Sequence, residues 1–317
     1  GGDRGDDMKL GLTLSPLVGR LDQPVENAVV SFRERRGWLV SVMFEGVRGF
    51  GEASPLAGYS SDTCELTESA LRALGPSLSV EASTLEDFAR SVARHSENLP
   101  REAYAARFGL ESALFDAYAR SRGVPLWAVL RHGLELSQRD APVPSRVPVA
   151  AWITSLQLSD AQARFEQGAH TFKLKLGRDV PAELAFAARV RARFPAARLR
   201  FDANGALEGA ALDATLSALA VLDVEFVEEP SHPLPARSPV PLALDESLRG
   251  LDPEDVVDHP DVRAWVLKPT ALGGLYRRNG LVLALAMTLA LALFLALAAA
   301  STGHLLEARR EASSFYA

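Results

Sequence analysis

Cysteine is close to absent: the chain of 317 residues has one, Cys64. That excludes an internal disulfide and any zinc or iron–sulfur centre built on several thiolates, and a lone thiol suits a reducing compartment. Histidine is scarce as well, with 6 in all and no HExxH pair, so a bound metal would be held mainly by oxygen. Positive charge has no excess. The 34 Lys and Arg are scattered and are outnumbered by 40 Asp and Glu, which leaves no basic field to hold nucleic acid. Neither does a charged and apolar leader open the chain, and a cytoplasmic protein is the expectation. Long apolar runs are missing except for Leu281 to Ala300, which carries no charge and is flanked by Arg277 and Arg278. It is long enough to span a bilayer, but its Ala/Leu composition is that of a buried helix and no second span accompanies it; the reading adopted is a buried helix, not a membrane partner.

What is present is a globular composition, 48% hydrophobic and 23% charged, which rules out a disordered, collagen-like or coiled-coil chain. Residues 1–8, GGDRGDD and Met8, read as a linker or tag remnant. Residues 9–140 read as an α+β domain. Val29–Phe32 and Trp38–Phe44 are β-rich runs on either side of an expected break at Arg33–Gly37, and Glu65–Leu74 is helical. Tyr104, Phe108, Phe115 and Tyr118 share one face of a second helix, which Gly123 and Pro125 stop. Between them GFGEASPLAGYSSDT, Gly49–Thr63, reads as a long functional loop in which Gly51 and Gly58 permit movement and Tyr59 can cover a ligand.

After the proline-rich hinge Ala141–Pro148, short apolar strands alternate with helical stretches. The strands drawn are Val147–Ile153, Thr171–Leu176, Arg198–Asp202, Val224–Val227, Pro241–Leu244 and Ala264–Leu267. Their starts lie 24, 27, 26, 17 and 23 residues apart, the rhythm of parallel βαβ units. No glycine-rich phosphate loop follows the first of them, which favours a (β/α) barrel over a doubly wound sheet for residues 147–317.

In such a barrel the chemistry sits at the C-terminal strand ends. The second strand carries Lys173 and Lys175, and a period of two turns both ammonium groups to the same side. The third ends in Arg200-Phe-Asp202-Ala-Asn204, the fourth in Glu228-Glu229-Pro, the fifth in Asp245-Glu246-Ser and the sixth in Lys268-Pro. Asp202, Glu228 and Asp245 can converge on one hard divalent cation, although each alone also suits a helix cap. Glu229 and Glu246 read as structural neighbours of those ligands, while Arg200 and Asn204 are candidate substrate contacts. Two lysines on different sides of a substrate would suit proton transfer, with Lys173 keeping Lys175 neutral by charge repulsion.

The set FKLKLG, RFDAN, FVEEP, LALDESL and VLKPTALGG, over roughly Lys9–Leu275, resembles the enolase superfamily in the branch with lysines on the second and sixth strands. LDESL followed by LKPTALGG is most similar to its o-succinylbenzoate synthase family. The resemblance implies a barrel with an N-terminal α+β capping domain. It makes Asp202, Glu228 and Asp245 ligands of magnesium, or of manganese, with Lys175 as the base and Lys268 as the opposing cation. It further implies a small carboxylate substrate and a syn dehydration to o-succinylbenzoate; racemisation of N-acylamino acids or epimerisation of dipeptides is the alternative within the superfamily. It also implies two more strands after Lys268. Yet Val282 and Thr288 are the only β-branched residues in Leu281–Ala300, so strands there are poorly specified and an inactive or membrane-anchored barrel is a further alternative.

Overall fold

A computed structural model describes residues 8–26, 31–56, 60–133, 147–248 and 259–275. They form two compact units. One takes in the described residues up to Gly133 together with Lys268–Leu275, and the other the described residues from Val147 to Leu267.

The first unit is built on an antiparallel sheet of β1 (Met8–Glu26), β2 (Ser31–Phe44), β3 (Val47–Ala53) and β4 (Ser77–Val80), in the order β3-β2-β1-β4. Four helices accompany it: α1 (Cys64–Ala73), α2 (Leu85–Glu97), α3 (Tyr104–Ser121) and α4 (Leu126–Gly133). Thr63 and Thr84 cap α1 and α2 by accepting from Leu66 N and Asp87 N, which satisfies backbone donors that a helix start leaves unpaired. The expected break at Arg33–Gly37 is absent, because β2 runs through it unbroken. Before Trp38, β2 pairs only with β1, as a two-stranded ribbon that extends past the end of β3. Glu34, Arg35 and Arg36 are half-buried or exposed residues of that ribbon, so their polarity marks a solvated strand and not a turn.

The supposed loop is also corrected in part. Gly49 to Ala53 belongs to β3, so Gly51 is a buried strand residue and does not confer movement; Gly58 and Tyr59 lie outside the described residues. A Cβ at Gly51 would stand 1.9 Å from the carbonyl oxygen of Gly109 in α3, and one at Gly109 would stand 2.7 Å from the Cβ of Ala53. Small residues are required because the helix lies directly on the strand backbone. Beside this contact Phe44, Phe88, Phe115 and Tyr118 form one aromatic cluster, with ring centroids 4.7–6.0 Å apart. Burying each such ring contributes about 2 kcal/mol.

The second unit is a parallel sheet of six strands: β5 (Ala151–Ile153), β6 (Thr171–Lys175), β7 (Arg198–Asp202), β8 (Phe226–Glu228), β9 (Leu242–Leu244) and β10 (Val262–Trp265). Each strand lies beside the next in the chain, and α5 (Leu158–Glu166), α6 (Val180–Arg193) and α7 (Gly209–Ala220) make the first crossovers. The central strands bury apolar side chains between their covering layers, while their polar residues gather on one face. Phe172, Leu174, Leu199, Phe201, Val227 and Leu242 are all buried. The strand expected from Val147 opens only at Ala151, since Pro148 has no N–H for the ladder. The last strand begins two residues before the expected Ala264. Among the described residues no helix is long and apolar enough to cross a membrane, and Leu281–Ala300 lies outside them, as do residues 141–146 of the hinge.

The close packing of β3 on α3 predicts that Gly51→Ala costs about 2–3 kcal/mol, because the methyl must displace a backbone carbonyl. Urea unfolding should show the midpoint falling; an unmoved midpoint would contradict the packing described.

Candidate active site

The parallel register sets the site. Lys175 pairs with Asp202, and Asp202 pairs with Glu228, so three ionisable residues stand in one row across β6, β7 and β8. Lys173, one pleat earlier, points to the same side. Its Nζ lies 2.7 Å from Glu228 Oε2 and 2.9 Å from Asp202 Oδ2, while Lys175 Nζ lies 2.8 Å from Asp202 Oδ2 and 2.5 Å from Asn204 Oδ1. The structure therefore brings together Lys173, Lys175, Asp202, Asn204 and Glu228. Arg200 is engaged elsewhere: its Nε donates to Glu225 at 2.6 Å and its guanidinium lies over the Phe226 ring.

Asp202 and Glu228 are 4% and 1% exposed, so their charges interact with little help from water. Burial disfavours the Lys173 ammonium, but the two carboxylates outweigh it and hold that lysine above its ordinary range. Burial also disfavours ionised Asp202, and here the two lysines prevail, leaving it below the usual carboxylate range. Glu228 goes the other way. Burial and then repulsion from Asp202 push it up to about 7, an effect that Lys173 offsets only in part and that a hydrogen bond with Asp245 reinforces.

Next to these residues, Glu229 is fully buried and adopts a positive φ of 42°. Its Oε1 accepts from the N–H groups of Asp245 and Ser247, each at 2.7 Å, and its Oε2 accepts from Ser247 Oγ at 2.9 Å. The carboxylate thus holds the turn that presents Asp245. Glu246 accepts from Asn204 Nδ2 at 3.4 Å. Sequence reasoning missed Glu183, whose carboxylate accepts from the N–H groups of Gly177, Arg178 and Asp179 and so fixes the loop after Lys175. The signal was available, since Asp179-Val-Pro-Ala-Glu183 reads as a helix start with an acid in its first turn.

The donor set fits a hard cation. Asp202 Oδ1 and Glu228 Oε1 are buried oxygens without a hydrogen-bond partner, and two such atoms on adjoining strand ends are what a divalent ion bound by oxygen would satisfy. Among the described residues, no three His, Cys, Asp or Glu side chains stand as a preformed metal group, so the fit rests on those two oxygens. Lys268 follows β10 and stands at the N-cap position of α8 (Pro269–Leu272), with no side-chain capping bond, in the other compact unit.

Comparison with known proteins gives the same frame. Residues 12–130 match the family model for the mandelate racemase/muconate lactonizing enzyme N-terminal domain, and residues 158–308 match the model described as enolase C-terminal domain-like. The L-Ala-D/L-Glu epimerase of Bacillus subtilis is 27% identical over 232 residues, 69% of this chain and 59% of that protein. The o-succinylbenzoate synthase of the same organism is 27% identical over 281 residues, 83% of this chain and 71% of that protein. A solved dipeptide epimerase from Methylococcus capsulatus, complexed with Mg and a dipeptide, superposes with a TM-score of 0.70 at 24% identity over 89% of this chain and 81% of its own. An N-terminal antiparallel capping sheet with a parallel α/β barrel domain is the fold these proteins share.

The raised Glu228 predicts a pH dependence with a definite sign. Its pKa in the folded chain lies above that of an unfolded glutamate, so the folded state holds the proton between about pH 4.5 and 7 and loses stability as pH rises through that window. Asp202, displaced downward, acts below that window. Thermal unfolding in the presence of a chelator should show the decline in the parent chain and a flatter profile in Glu228→Gln; equal slopes would contradict the charge arrangement.

Proposed function

From the premise that the chain belongs to the enolase superfamily, we propose that it is a divalent-metal-dependent lyase that removes a proton α to a carboxylate and expels a hydroxyl, the syn dehydration that yields o-succinylbenzoate. The observation that carries this reading is the row of half-buried Lys175 with buried Asp202 and Glu228, with two carboxylate oxygens left for a cation. Asp202, Glu228 and Asp245 would hold magnesium or manganese, which when bound supplies positive charge against the substrate carboxylate and the charge that develops on it.

The chain's own residues do the rest. Lys175, as the neutral amine, takes the α-proton and becomes an ammonium. The same nitrogen then gives that proton to the departing hydroxyl on the same face, so that water leaves and the ring becomes aromatic. A syn elimination needs no second acid. Lys173 is held between Asp202 and Glu228, beside Lys175 on the same face of β6. Lys268 acts as a cation on the opposite face and stabilises the ene-diolate electrostatically. Asn204 orients Lys175 through their hydrogen bond.

Epimerisation is the second reading, favoured by the similarity to the L-Ala-D/L-Glu and dipeptide epimerases. It would require both lysines to exchange protons, one on each face of the α-carbon. The two readings part at Lys268. Dehydration of 2-succinyl-6-hydroxy-2,4-cyclohexadiene-1-carboxylate and deuterium uptake from heavy water into an N-succinylamino acid or dipeptide should be measured in Lys175→Ala, Lys268→Ala and Lys268→Arg. Dehydration should fall about a hundredfold or more in Lys175→Ala and survive in Lys268→Arg, where the charge is kept. Dehydration that persists without Lys175 rules out the mechanism; exchange on both faces with no dehydration establishes the epimerase.

A further inference from the structure

Glu111 stands at the middle of α3, fully buried, on a helix whose neighbouring buried positions are mostly Ala, Leu and Phe. A carboxylate in such surroundings is costly to bury unless its oxygens meet donors, and a leucine would serve the core better. Its Oε2 accepts from the backbone N–H of Leu275, 164 residues further along the chain. One helical turn earlier, Arg107 Nη1 donates to the carbonyl oxygen of Gly273 at 3.5 Å. The same guanidinium is tied to Ser96 O at 3.3 Å and Pro100 O at 3.1 Å, so it is itself fixed in place. A carboxyl and a guanidinium, spaced i to i+4 on one helix, thereby grip the N–H and the C=O of a single turn.

That turn is shaped for the grip. Gly273 and Gly274 have φ of +86° and +130°, and a Cβ at Gly274 would lie 2.5 Å from Glu111 Oε2. The turn is short-wired to Lys268. Leu272 N donates to Lys268 O at 2.9 Å and Gly274 N to Pro269 O at 3.0 Å, so α8 leaves little slack between Gly274 and the lysine backbone. All these residues belong to one compact unit.

We propose that Glu111, seconded by Arg107, is a positioning residue for Lys268, holding the Gly273–Leu275 turn so that the ammonium is delivered at a fixed place. The catalytic consequence rests on the reading of Lys268 given above. A misplacement of about 1 Å in such a group costs up to about a hundredfold in rate without weakening substrate binding.

The test uses the full chain and four variants: Glu111→Ala, Glu111→Gln, Gly274→Ala and Lys268→Ala. Gly274→Ala disturbs the turn while leaving α3 unchanged, so a folding defect in Glu111→Ala does not block the outcome. Two readouts need no turnover: hydrogen exchange at the Leu275 amide, and the rate at which Lys268 is acylated by acetic anhydride, followed by mass spectrometry. In Glu111→Ala and Gly274→Ala, Leu275 exchange should quicken about tenfold and Lys268 labelling should change about threefold or more, whereas Glu111→Gln, which keeps an acceptor, should restore both. Turnover in the two disruptive variants should lose about tenfold or more in kcat, with KM and magnesium affinity held within about twofold. Unchanged labelling and exchange in Glu111→Ala and Gly274→Ala overturn the inference whatever the activity. Changed labelling with full turnover in the disruptive variants, alongside a dead Lys268→Ala, overturns its catalytic part. A fully active Lys268→Ala overturns the reading of Lys268 on which that part stands, and is told apart by the two readouts that need no turnover.

Discussion

Carboxylates placed side by side at the ends of β7 and β8 repel one another, and in the dry interior of a parallel sheet that repulsion is strong. Two lysines from β6 hold it in check. Much of the second unit follows from this constraint. The register must place Lys175 beside Asp202 and Asp202 beside Glu228, because a slip of one residue would turn every charged side chain to the other face. The balance is incomplete by two oxygens, Asp202 Oδ1 and Glu228 Oε1. It is also uneven, since the lysines lower Asp202 while burial and the charge of Asp202 raise Glu228. A cation bound beside these two carboxylates would displace the proton that Glu228 holds.

In both units, other carboxylates act as clamps on backbone N–H groups. Glu229 holds the Asp245–Ser247 turn, Glu183 holds the loop after Lys175, and in the first unit Glu111 holds the turn after Lys268. Each is buried, and each accepts from N–H groups that no strand or helix pairs. The polar cost of burying them is offset by the backbone N–H groups they satisfy, and each fixes a turn next to a residue of the proposed site.

Much of the second unit was legible in the sequence, because a parallel strand covered on both faces reads as a short apolar run and its C-terminal polar residue stands out against it. FKLKLG, RFDAN and FVEEP announced both the strands and the row of charges. The first unit was less legible. The charged stretch Arg33–Gly37 looked like a turn, since polarity alone cannot distinguish a turn from a two-stranded ribbon. The glycines of GFGEA looked like flexibility, although β3 needs them so that α3 can approach its backbone; only the partner helix reveals this. The role of Glu111, and the particular N–H partners of Glu229, which reads from sequence only as a structural neighbour of the ligands, were illegible for a similar reason. Their acceptor function depends on N–H groups that are distant in sequence or freed by an irregular turn, and no local pattern records that.

The central claim, that Asp202 and Glu228 leave room for a hard cation which their lysines do not replace, is tested most directly by calorimetric titration of the chain with magnesium at about pH 8, above the range in which Glu228 holds its proton, alongside Asp202→Asn, Glu228→Gln and the double variant. The account predicts one site in the parent chain, a loss of affinity of about tenfold or more in each single variant, and no measurable binding in the double. Magnesium affinity that is unchanged in the double variant would contradict it.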